Sequence, residues 1–127
     1  MSLEIKAQRS AGIQVPEVVT LVLAGSLNSD TAPELERQLS VVLAEPIKNI
    51  AFDLAPLKFI TSAGLRVFAA TRKTLKERGG QASFVNLQPQ VEAVFDVIKS
   101  LPGVSIYKDT AALDSYLARL QSGHFKP

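Results

Sequence analysis

A chain of 127 residues with no cysteine and a single histidine, His124, fits one domain whose core hides roughly two-thirds of the unfolded surface. It excludes disulfides, thiol chemistry and a Cys/His zinc site within one protomer. The apolar share of 46 % and charged share of 20 % are those of an ordinary globular protein, and fourteen Lys and Arg against twelve Asp and Glu leave a formal charge of +2, far from the basic excess by which nucleic-acid binders displace counterions.

Residues 4–10 alternate Ile5, Ala7 and Arg9 loosely with polar neighbours and lead into a turn-prone Ala11-Gly12, the pattern of the first arm of a hairpin. The second arm is 18–24 (VVTLVLA), a β-branched run closed by Gly25. After Leu27 the stretch NSDTAPE offers several helix caps: Thr31 and Glu34 have capping-box spacing and Pro33 suits a first turn. The helix that follows puts Ala32, Leu35, Leu39, Val42 and Leu43 on one face and stops at Pro46. Residues 49–54 (NIAFDL) predict a strand, followed by a loop holding Pro56. A helix over 62–78 turns Leu65, Phe68, Thr71 and Leu75 inward, with Gly79-Gly80 as its left-handed exit.

A strand over 82–86 comes next, then a helix from Gln88 or Pro89 with Val91, Val94, Phe95 and Ile98 on one side, ending before Pro102-Gly103. A short strand over 104–107 precedes a last helix, capped by Asp109 or Thr110, with Ala112, Leu113, Tyr116, Leu117 and Leu120 as its stripe. Connections too long for hairpins argue for parallel strands joined by right-handed crossovers. The fold class is α/β: a single domain over residues 1–127, with its core at about 3–120 and a tail at 121–127, in which a mixed, mostly parallel sheet with an N-terminal antiparallel hairpin is packed by about four helices. No apolar run nears the ~18 residues of a spanning helix. The N-terminus lacks a signal-peptide pattern, so the expected address is the cytoplasm, without membrane insertion.

The usual enzymatic signatures are missing: no phosphate loop, HExxH, GxSxG or paired-histidine arrangement. No catalytic residue, cofactor or metal is expected. His124 lies beyond the last apolar stripe and reads as tail. Asp53 ends a strand, where open α/β sheets often bind ligands, but it has no second carboxylate nearby in sequence and reads as a structural hydrogen-bonding group. Between Lys58 and Arg78 stand Lys58, Arg66, Arg72, Lys73, Lys76 and Arg78 against Glu77 alone. This is a solvated helix face or a surface for an acidic protein or a nucleotide. Nucleic-acid binding through it lacks interleaved aromatics. At Thr61-Ser62-Ala63-Gly64 a loop meets a helix start, with two hydroxyls at its mouth. On spacing alone they read as a cap contributing ~1 kcal/mol, and the helix starts at Thr31 and Ser62 are also candidates for an anion site.

Taken together, LAGSLN, DTAPEL, FDL, ITSAGLR, KERGG and ASFVNL, in this order and spacing, resemble the STAS domain of bacterial anti-sigma factor antagonists and of the cytoplasmic ends of sulphate transporters. The resemblance implies a small partner-switching regulator of transcription, not an enzyme, that binds an anti-sigma factor, often a serine protein kinase, and is switched off by phosphorylation. By position the phosphorylated serine is Ser62, with Thr61 as second choice. The partner-binding set is Asn28, Ser29, Thr31, Lys58, Thr61, Ser62, Ala63, Gly64 and Arg66. Thr61 and Asn28 each stand where many members carry Asp. Lys58 and Arg66 would complement an acidic partner edge or the phosphate itself. A phosphate brings roughly −1.5 to −2 charge, which a helix N-terminus tolerates and a docked apolar or acidic partner does not. A loss of ~3 kcal/mol already lowers affinity a hundredfold. The alternative is a subunit of an ABC-type lipid transport complex that docks on an ATPase and is never phosphorylated.

Overall fold

A computed structural model describes residues 2–12, 15–100 and 110–122, with side chains over 2–9, 18–96 and 114–122. The elements are β1 (Leu3–Gly12), β2 (Val15–Leu27), α1 (Ala32–Leu43), β3 (Asn49–Asp53), β4 (Leu57–Ile60), α2 (Ser62–Glu77), β5 (Gln81–Val85), α3 (Pro89–Ser100) and α4 (Thr110–Gln121). The expected hairpin is present, with β1 antiparallel to β2 from Leu3↔Gly25 to Gly12↔Val15. β2 pairs parallel with β3 and, at its far end, parallel with β4, while β5 lies parallel to β3. The result is the anticipated mixed sheet, in the order β1-β2-β3-β5 with β4 on β2.

β4 departs from the sequence reading, which treats the stretch after Pro56 as loop. Only four residues long, it carries too short a pattern to register as a strand. It forms because β2 runs past β3 and leaves Gly25 to Leu27 free to pair with Leu57 to Ile60. The strand expected over 104–107 and the tail with His124 lie outside the described residues.

Alternation in β3 sets the core: Ile50 and Phe52 are buried while Asn49, Ala51 and Asp53 are half-buried, so one face of the sheet carries the packing. Val19, Leu21, Leu23 and Leu27 of β2 join it, with Leu35 and Leu39 from α1, Val67, Phe68 and Leu75 from α2, Val91 and Val94 from α3, and Leu117 and Leu120 from α4. Leu65, expected inward, is half-buried and Val67 takes the deeper place. Phe68 stands 4.9 Å by ring centroid from both Phe52 and Phe84, and Phe84 stands 5.3 Å from Phe95, which ties β3, β5, α2 and α3 through two tilted ring pairs and one edge-on pair.

The helix ends are closed differently from the expected capping box. Thr31 makes no side-chain cap bond to α1, and Glu34 faces outward to Arg37 and Gln38. Hydrogen bonds from those two hold the Glu34 carboxyl below its ordinary pKa. At the other end Arg78 donates from Nη2 to Leu43 O at 2.7 Å and from Nη1 to Glu45 O and Ile47 O, both at 3.0 Å. One member of the expected basic surface is therefore spent on the last carbonyl of α1 and two carbonyls of the segment that follows it. The α2 exit uses Gly79 at φ 83°, the left-handed turn expected there. Asp53 serves the hydrogen-bonding role anticipated for it: its Oδ1 accepts from Ala55 N at 3.1 Å and Asn86 Nδ2 at 3.3 Å. No helix among the described residues is long and apolar enough to cross a membrane.

Candidate functional site

Parallel pairing of Leu27 with Ile60 brings two loops together at one end of the sheet. The main-chain N–H of Thr61 donates to Leu27 O at 3.0 Å, so the turn after β2 and the start of α2 share a border. The β2–α1 turn holds its shape through side chains. Asn28 Oδ1 accepts from the N–H groups of Asp30 at 2.9 Å and Thr31 at 3.1 Å. Thr31 Oγ1 accepts from Asn28 N and donates to Ser26 O, both at 2.9 Å. Asn28 and Thr31 are thus half-buried turn formers, and Ser29 beside them is exposed. An Asp carboxylate in place of the Asn28 amide would accept the same two N–H groups, so such an exchange preserves the turn.

At the mouth of α2 the two hydroxyls do not cap it. Thr61 occupies the N-cap position in an extended conformation without a side-chain cap bond. Its Oγ1 and the Oγ of Ser62 are both buried with no hydrogen-bond partner among the described residues. Ser62 is 4 % exposed, so the oxygen expected at a docking surface is buried. The Ser62 N–H donates to Asp114 Oδ1 at 2.8 Å. Gln121, one residue after the buried Leu120, accepts from Ile60 N and donates to Ile60 O, each at 2.7 Å. A carboxylate at this helix start is electrostatically favourable, because the first N–H groups have no intrahelical acceptor and carry the positive end of the helix dipole. Asp114 therefore does the work that the local hydroxyls were expected to do.

The remaining expected residues fall around this point. Gly64 is buried so tightly that a Cβ there would meet Leu27 Cγ at 2.6 Å and Ile60 Cγ1 at 3.0 Å, which makes it a packing position rather than a contact surface. Ala63 is half-buried, and Lys58 and Arg66 are exposed, as are Arg72, Lys73 and Lys76 farther along. Asn28, Ser29, Thr31, Thr61, Ser62 and Gly64 thus cluster at one end of the molecule. Asp114 and Gln121 are the members that sequence reasoning missed. They lie 52 and 61 residues from their partners, on the polar side of an amphipathic helix, where no local pattern marks them.

With this geometry in place the comparisons with known proteins decide the family: the sequence pattern of the STAS domain matches residues 7–113. The chain belongs to the STAS domain family. Among its relatives is BtrV of Bordetella bronchiseptica, described as a putative anti-sigma factor antagonist, 35 % identical over 75 residues that make up 59 % of this chain and 65 % of BtrV, just under two thirds. The anti-sigma-B factor antagonist of Bacillus subtilis is 33 % identical over 75 residues, 59 % of this chain and 68 % of that protein. The fold of this STAS domain is that of the anti-sigma factor antagonist SpoIIAA in its unphosphorylated form, with a TM-score of 0.57 at 20 % identity over 72 % of this chain and 82 % of that one. An anti-sigma factor antagonist from Mycobacterium paratuberculosis superposes with a TM-score of 0.55 at 22 % identity, covering 78 % and 84 % of the two chains.

Proposed function

We propose that this STAS domain is an anti-sigma factor antagonist: a binding protein, not an enzyme, that engages an anti-sigma factor of the serine-kinase type and is released when Ser62 is phosphorylated. Two curated relatives named as antagonists support the class. The observation that carries the choice of acceptor is the Ser62 hydroxyl itself, which sits at the N-terminus of α2 and makes no hydrogen bond among the described residues. The hydroxyl is buried, so it must first be uncovered, but its phosphorylation then breaks no hydrogen bond among the described residues. In the switch, Ser62 Oγ passes its proton to a base of the kinase and bonds to the γ-phosphorus of ATP, the bond from that phosphorus to the bridging oxygen breaks, and ADP leaves. The phosphate brings roughly two negative charges to a helix end that favours them, so the domain persists while a partner packed over the site is repelled.

The contact face is the cluster of Asn28, Ser29, Thr31 and Thr61 with the exposed cations Lys58 and Arg66 at its edge, a surface suited to an acidic partner rim. Titration calorimetry of this chain against a purified serine-kinase anti-sigma factor tests the proposal. The unsubstituted chain binds it, and Ser62→Glu weakens binding about a hundredfold, the equivalent of ~3 kcal/mol. Equal affinity of both chains, or binding to a transporter ATPase and not to the anti-sigma factor, overturns it.

A further inference from the structure

Resting on the reading of Ser62 as acceptor, we propose that α4 is a displaceable cover over that residue and that Asp114 holds the seat its phosphate would take, so that phosphorylation and partner docking both compete with α4 for the mouth of α2. Three features of the contact carry this. Among the described residues, two side chains of α4 bond to this corner, Asp114 to Ser62 N and Gln121 to the N–H and C=O of Ile60. All three bonds end on main-chain groups that water or a partner satisfies equally well once α4 leaves. The Asp114 carboxylate is also an anion placed at a helix start that its own N-cap residue leaves uncapped, which is the place a phosphate on Ser62 would occupy. Finally, Ser62 Oγ and Thr61 Oγ1 are buried without partners among the described residues, next to the main-chain N–H that Asp114 holds. A lift of α4 that lets water reach these hydroxyls offsets part of the cost of exposing Leu117 and Leu120.

The ordering of events follows from charge. With α4 seated, Ser62 is 4 % exposed and no kinase reaches its oxygen. Once phosphorylated, the doubly charged group and the Asp114 carboxylate repel each other at the same helix end, so the modified chain keeps α4 away. The cover thus delays modification while unmodified and cannot reseat afterwards.

Hydrogen exchange on the unsubstituted full chain tests this without any variant. The Ile60 and Ser62 amides, bonded to α4 side chains, should exchange about a hundredfold faster than the amides of the central strand β3, because α4 opens below the free energy of global unfolding. Equal protection at both places overturns the proposal. Since the chain has no cysteine, Ser62→Cys provides a single thiol for a second test. Its maleimide labelling should rise about tenfold when Asp114→Ala and Gln121→Ala are added, with an exposed Ser40→Cys control unchanged. Equal labelling at position 62 with and without those two substitutions overturns the cover. Neither test uses a kinase. Failure of Ser62 to accept phosphate would remove the acceptor reading and leave these results standing, whereas equal amide protection would remove the cover and leave the acceptor.

Discussion

At the scale of single residues, Ser62 is the point where chemistry and stability pull apart. A hydroxyl that capped α2 would contribute ~1 kcal/mol, and its loss would destabilise the domain. The observed hydroxyl is buried and unbonded among the described residues, so Ser62→Ala removes a stranded polar group. The substitution should leave stability unchanged or raise it by about 1 kcal/mol in urea unfolding. A loss of that size would show that the hydroxyl caps the helix after all. The sequence marks the position correctly, because Ser and Thr before an apolar helical stripe signal a helix start whatever their side chains do. It does not reveal that a carboxylate from α4 takes over the capping, since nothing local encodes a contact 52 residues away. Gly64 shows the reverse: placed by motif in the partner-binding set, it is held by its fit against Leu27 and Ile60, and Gly64→Ala should lower stability by about 1–3 kcal/mol through overpacking.

At the scale of elements, Arg78 ties the end of α2 to the end of α1 beyond the core that the two helices share. Arg78 gathers the carbonyls of Leu43, Glu45 and Ile47, closing the end of α1 with a charge of the sign its dipole favours. Arg78→Ala should lower unfolding stability by about 2–3 kcal/mol, with Arg78→Lys recovering only part because one ammonium cannot reach three divergent carbonyls. A loss below about 0.5 kcal/mol for Arg78→Ala would mean that water replaces those bonds at no cost. Charge counting along the chain places Arg78 on the basic surface, since composition cannot tell a solvated guanidinium from one turned inward. Helix and strand positions were legible for a different reason: amphipathic period, Pro46 and Gly79 are local features that survive any tertiary arrangement. β4 escaped because four residues carry no period, and its existence depends on how far β2 extends beyond β3.

At the scale of the whole molecule, the fold supplies a shared core and, in α4, a helix whose polar side chains reach the corner where β4 meets α2. The sheet from β1 to β5 and the phenylalanine cluster of β3, β5, α2 and α3 join the elements that hold the Asn28 turn against the start of α2. α4 adds Leu117 and Leu120 to the core yet fastens the corner itself with Asp114 and Gln121. Such a division would let one surface change charge while the core stays intact, which is what the proposed phosphate switch requires. The measurement that bears most directly on this account is incubation of the full chain with a serine-kinase anti-sigma factor and ATP, followed by intact-mass analysis and site mapping. One phosphoryl group on Ser62, absent from Ser62→Ala, is the predicted result; no transfer, or transfer to a residue outside the mouth of α2, would contradict it.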